Sequence, residues 1–73
     1  MAVETQESLA IHVNGDAVVT RAETLGDLVV ELGVAGSRIA TARNGDFVPE
    51  RARAGTRLAP GDRIEILSPR HGG

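Results

Sequence analysis

The last six residues, Ser68-Pro69-Arg70-His71-Gly72-Gly73, raise the sharpest chemical question in the chain. Glycine specifies conformation least of all residues and has no Cβ. Two glycines ending a folded domain are either a frayed terminus or a terminus that has to enter a narrow space. Little else in the sequence competes with them for a chemical role. There is no cysteine, so the chain has no disulfide, no thiol nucleophile and no thiolate metal ligand of its own. The two histidines, His12 and His71, lack a supporting cluster of further ligands, and a shared metal site is not supported. All eight basic residues are Arg, and Arg51, Arg53 and Arg57 fall in one short segment. That segment is a solvated loop or, alternatively, a docking patch for an acidic partner surface.

The elements that would carry this tail follow from patterning. In LAIHV, Leu9, Ile11 and Val13 share one face and Ala10 and His12 the other. Asn14-Gly15 is a strong hairpin signal, since both turn residues need positive φ. Ala17 and Val19 resume the alternation, so two antiparallel strands are predicted over about residues 8–13 and 16–20. Thr24 is a plausible N-cap, with Asp27 in the capping-box position. Leu25, Leu28, Val29 and Leu32 make one apolar helical stripe, and Gly33 is a natural terminator. Gly26 in the first turn weakens that helix slightly. Residues 39–43 predict a strand, Asn44-Gly45 a second turn, and residues 46–48 a short strand ended by Pro49. The segment to Leu58 has too few apolar residues for a full helix. Pro60-Gly61-Asp62 is a turn, and RIEIL is a last strand with Ile64 and Ile66 facing in and Arg63 and Glu65 facing out. A four- or five-stranded mixed sheet with one face covered by a single helix packs this β-β-α-β-β-β order economically. We divide the chain into a disordered lead at 1–7, a domain at 8–67 and a flexible tail at 68–73.

The totals set bounds. The chain has 73 residues, which allows one domain with a thin core. No apolar run is long enough to span a membrane, and MAVETQES lacks the basic start and apolar stretch of a signal peptide. A cytoplasmic location is expected. Net charge is −2 and Phe47 is the one aromatic residue, so nucleic-acid binding is poorly supported. Charge is divided along the chain. Residues 1–36 carry one Arg against six acids, and residues 37–73 carry seven Arg against four.

In this order and over this length, "IHVNGD", "TLGDLVVELG", "IATARNGDFVP", "LAPGDRIEIL" and a terminal "GG" resemble the ThiS family. These are the sulfur carrier proteins of thiamin (thiazole) biosynthesis, with the ubiquitin-like β-grasp fold (α+β). The resemblance covers about residues 8–73, and its specificity lies in the combination of motifs. It implies that the C-terminal carboxylate of Gly73 is the working group. Such a carboxyl has a pKa of about 3.5 and is ionised at neutral pH. An E1-like adenylyltransferase (ThiF), consuming ATP and Mg²⁺, would adenylate it. Sulfur from a cysteine desulfurase would then convert it to a thiocarboxylate, which thiazole synthase (ThiG) would use to build the thiazole ring. The protein would be a co-substrate and not an enzyme, with no cofactor bound.

The resemblance also implies a partner surface. Gly72, His71 and Arg70 would enter the partner site, with Pro69 stiffening the approach. The exposed face of the sheet would dock, through outward side chains of the last strand, such as Leu67, and of the segment before it, with Phe47 and Leu58 as apolar anchors. Alternatively Phe47 and Leu58 complete the small core, and Arg70 and His71 are simply solvated. Three other functions fit parts of the pattern: a sulfur carrier for molybdopterin synthesis, a β-grasp interaction module without tail chemistry, and a ubiquitin-like protein modifier.

Overall fold

The computed structural model describes residues 7–35 and 38–68. Chain order is β1 (Leu9–Val13), β2 (Asp16–Thr20), α1 (Leu25–Glu31), β3 (Ala40–Arg43), β4 (Asp46–Val48), a 3-10 helix (Glu50–Gly55) and β5 (Arg63–Leu67). The five strands form one mixed sheet in the order β2-β1-β5-β3-β4. The hairpins β1–β2 and β3–β4 are antiparallel. β5 enters between them, parallel to β1 and antiparallel to β3. This is the ubiquitin-like β-grasp architecture, with the strand that leads to the tail at the centre of the sheet.

Local sequence explains most boundaries. Both hairpin turns put Asn at φ 51 and Gly at φ 88, the left-handed pair that matches strand twist. Thr24 caps α1, its hydroxyl accepting from the Asp27 N–H at 3.1 Å. At the other end Gly33 takes φ +79. Its N–H donates to the Val30 carbonyl at 3.0 Å, and that of Val34 to the Val29 carbonyl at 3.0 Å, closing the helix in a Schellman motif.

Helix α1 buries Leu25, Leu28 and Val29. Leu32, expected on the same stripe, is 39% exposed. It is the C-cap, the last position with helical dihedrals before Gly33 reverses the chain. The core joins Ile11, Ala22, Leu25, Leu28, Val48, Leu58 and Ile64, with Leu9, Val13, Val18, Ala52 and Ile66 packed around it. Leu58 therefore belongs to the core and is not an exposed anchor. Its loop is held there by a hydrogen bond from its own N–H to the Glu23 carbonyl at 3.0 Å.

Arg53 also departs from expectation. It is 9% exposed. Its Nε donates to Thr41 Oγ1 at 3.0 Å and its Nη2 to the Ile39 carbonyl at 2.9 Å. Thr41 Oγ1 in turn donates to the Val48 carbonyl at 2.7 Å. The Arg51–Arg53–Arg57 segment is thus not a single basic patch, because its middle member ties the 3-10 helix to the sheet.

Candidate functional site

One face of the sheet is buried under α1 and the 3-10 segment, and the other is open among the described residues. Register shows what the open face carries. Ala42 lies opposite both Phe47 and Glu65, and Ala40 opposite Leu67. On the other side of β5, His12 pairs with Arg63 and with Ala17, and Ala10 with Val19. Directly paired residues share a face, so these side chains line the same surface. Its large apolar members are exposed: Phe47 69%, Val19 69% and Leu67 65%. Small Ala residues between them keep the surface low. A groove of about 350 Å³ beside the β1–β2 turn is lined by His12, Gly15, Arg63, Ile64 and Glu65.

The start of β5 is fixed by a polar cluster. Asp62 is 5% exposed. It accepts from Arg43 Nε at 2.7 Å, Arg43 Nη2 at 3.3 Å, Asn44 Nδ2 at 3.0 Å and the Ala59 N–H at 2.8 Å. Burial on its own would push the carboxyl up. The hydrogen bonds from Arg43, Asn44 and Ala59, with the Arg43 charge, outweigh it and hold Asp62 below the ordinary carboxylate value. Asn44 adds a second hold, its Oδ1 accepting from the Arg63 N–H at 2.9 Å.

The end of β5 is fixed by Asn14. Its Oδ1 accepts from the Ile66 N–H at 2.8 Å and its Nδ2 donates to the Ile66 carbonyl at 3.2 Å. Sequence reasoning assigned Asn14 and Asn44 only to turns and missed these side-chain roles. The signal was present in the choice of residue, since Asp-Gly and Gly-Gly also make such turns.

Of the anticipated site residues, Leu67 and Phe47 stand on the open face two strands and two residues of register apart, about 12 Å at ordinary strand spacing. Leu58 is in the core, as described. Arg70, His71, Gly72 and Gly73 lie outside the described residues, as do Pro69 and most of the expected lead. Among the described residues, no group of three or more His, Cys, Asp or Glu side chains could hold a metal ion. No helix among them is long and apolar enough to cross a membrane.

No curated protein matches the chain. The structure is similar to the crystal structure of a thiamine biosynthesis protein (ThiS) from Geobacter metallireducens, with a TM-score of 0.72 and 29% identity. That match covers 89% of this chain and all of the other. The ThiS family model matches residues 5–73, through both final glycines. With nearly its whole length matched by the family model, the chain belongs to the ThiS family.

Proposed function

We propose that this chain is a sulfur carrier of thiamine biosynthesis, acting as a protein co-substrate with no catalysis of its own. The observation that carries the reading is the family match, which runs from residue 5 to Gly73. In this reading the Gly73 carboxylate attacks the α-phosphate of ATP within an E1-like adenylyltransferase (ThiF), releasing pyrophosphate. A cysteine persulfide supplied by a desulfurase displaces AMP from the acyl-adenylate. A second thiol then cleaves the sulfur–sulfur bond and leaves a thiocarboxylate on Gly73. Thiazole synthase (ThiG) takes that sulfur into the thiazole ring.

Physical chemistry suits this division of labour. An acyl-adenylate hydrolyses in open water, so it has to be made and consumed in a partner's water-poor site. Glycine has no side chain to obstruct the way in. The open sheet face, with Phe47 and Leu67 exposed on it, offers a docking surface beside the strand that leads to the tail. Arg70 and His71 precede the glycines and would make the polar contacts nearest the reaction.

The test is the intact mass of the carrier after incubation with an adenylyltransferase, ATP, cysteine and a desulfurase, beside a chain lacking Gly73. One oxygen exchanged for sulfur is expected, located on the C-terminal peptide and absent from the shortened chain. Oxidation of Met1 gives the same nominal gain and is separated by that localisation. An unmodified carrier, with the enzyme active on another ThiS protein, would overturn the reading in favour of an interaction module. A stable isopeptide bond to a lysine would point to a protein modifier.

A further inference from the structure

The two Asn-Gly turns hold opposite ends of β5. Asn44 acts at the start, with its N–H on the Arg63 carbonyl at 2.8 Å and its Oδ1 on the Arg63 N–H at 2.9 Å. Asn14 acts at the end, on both backbone groups of Ile66, across 52 residues of sequence. The backbone ladder between β1 and β5 stops earlier, at the bond from the Asn14 N–H to the Ile64 carbonyl at 2.8 Å. It stops because Asn14 turns to φ 51 and its own carbonyl leaves the sheet. A carboxamide has the acceptor and donor of a peptide group. The Asn14 side chain therefore stands in for the peptide that β1 no longer provides.

Along a strand, successive residues direct their N–H and C=O to opposite neighbours. Ile66 faces β1, so Leu67 faces β3, where it pairs with Ala40. Among the described residues, the Asn14 carboxamide is the last hold on the β1 side of the strand that leads to Gly73. We infer that Asn14 is a positioning residue for the C-terminal chemistry: by pinning Ile66 on the β1 side, opposite the hold that the Leu67–Ala40 pairing gives on the β3 side, it fixes the orientation of the end of β5 from which the chain runs on to Gly73.

The inference rests on the sulfur-carrier reading. Seven residues lie beyond Ile66. An enzyme that grips the sheet face has to find the carboxylate at the end of that span. Without the carboxamide, the last β1-side hold retreats two positions, to Ile64. The freedom released there has to be removed again on binding, which weakens productive engagement without touching the reacting atoms. The turn itself does not need the carboxamide, since glycine occupies its left-handed position readily.

The test compares Asn14→Gly with Asn44→Gly in the full chain, using an E1-like adenylyltransferase active on another ThiS carrier. Carrier-dependent ATP–pyrophosphate exchange gives kcat and KM, at a temperature well below both unfolding midpoints. Both changes keep the turn and remove a carboxamide. Asn44→Gly is the harsher control, because Asn44 also donates to Asp62. Asn14→Gly is expected to raise the KM for the carrier about tenfold with kcat unchanged, and to speed amide exchange at Ile66 ahead of Ile64. Asn44→Gly is expected to leave KM within about twofold of wild type, since a substitution that perturbs only uniform fold stability does not act on binding by folded molecules.

An unchanged KM in Asn14→Gly despite faster exchange at Ile66 would overturn the inference. So would a rise in KM in both variants that merely tracks their loss of thermal stability. A wild-type chain that is never adenylated overturns the carrier reading and leaves Asn14 no reaction to position, so the two failures are told apart by the wild type alone.

Discussion

Asp62 carries its charge almost out of water, and its four hydrogen bonds explain why it stays ionised. The side chain joins three parts of the fold: the turn at Ala59, β3 through Arg43 and the second hairpin through Asn44. Because its folded-state pKa is lowered, its contribution to stability is present above the ordinary value of about 3.9. That contribution is lost as pH falls through the lowered folded value, where the carboxyl takes up a proton. Urea unfolding followed from pH 7 down to strongly acid conditions is expected to show a falling midpoint over that range. Asp62→Asn is expected to be less stable at pH 7 by about 1–3 kcal/mol, the range for leaving buried donors poorly matched. Its midpoint is expected to fall less steeply in acid than that of wild type. Parallel curves for the two proteins would show that other carboxylates govern the acid limb.

At the scale of elements, the packing of α1 on the 3-10 helix decides how small residues are used. A Cβ built on Gly26 would lie 3.2 Å from both the backbone N and the Cα of Ala54. The helix therefore takes a poor helix former in its first turn because the neighbouring backbone passes there. Gly26→Val is expected to cost about 1–3 kcal/mol in chemical denaturation, as overpacked sites do, although Val is the better helix former. The same 3-10 helix supplies Arg53, whose bonds to Thr41 and Ile39 reach the sheet. Arg53→Ala is expected to destabilise by about 2 kcal/mol, whereas exposed Arg51→Ala stays within about 0.5 kcal/mol. Equal effects would return the segment to a solvated basic loop. These contacts mark the limit of what the sequence made legible. Turns, alternation and the Thr24 cap are local patterns and were readable. Arg53 is set by where a loop of ordinary polarity lands on the sheet, and no spacing within the segment encodes that. Leu32 failed for a related reason: helical periodicity continued through it, but it is the C-cap at the end of the helix and stays 39% exposed. In the candidate site, Phe47 and Leu58 looked alike as isolated apolar residues near turns. Only the register opposite Ala42 puts Phe47 on the open face, and only the closed core takes Leu58.

At the scale of the whole molecule, the described residues form a sheet with one covered face and one open face, and the last strand lies in the middle. The two faces use alternate residues of the same strands, so the side chains that fill the core are not those left exposed. In β5, Ile64 is in the core while Leu67 is exposed, and in the second hairpin Val48 is in the core while Phe47 is exposed. Substitutions can therefore test the faces independently. Leu58→Ala is expected to lower stability by about 2–5 kcal/mol, as buried Leu truncations do. The double variant Phe47→Ala/Leu67→Ala removes side chains that already face water, so its unfolding midpoint is expected to stay within about 0.5 kcal/mol of wild type. If the sulfur-carrier reading holds and this face docks the adenylyltransferase, the affinity measured by titration calorimetry is expected to fall at least tenfold, chiefly through loss of the aromatic Phe47 anchor. Unchanged affinity in the double variant would move recognition off the sheet face and onto the tail residues alone. Loss of affinity together with stability would mean that the two faces are not independent, and that the open face supports the fold as well as the partner.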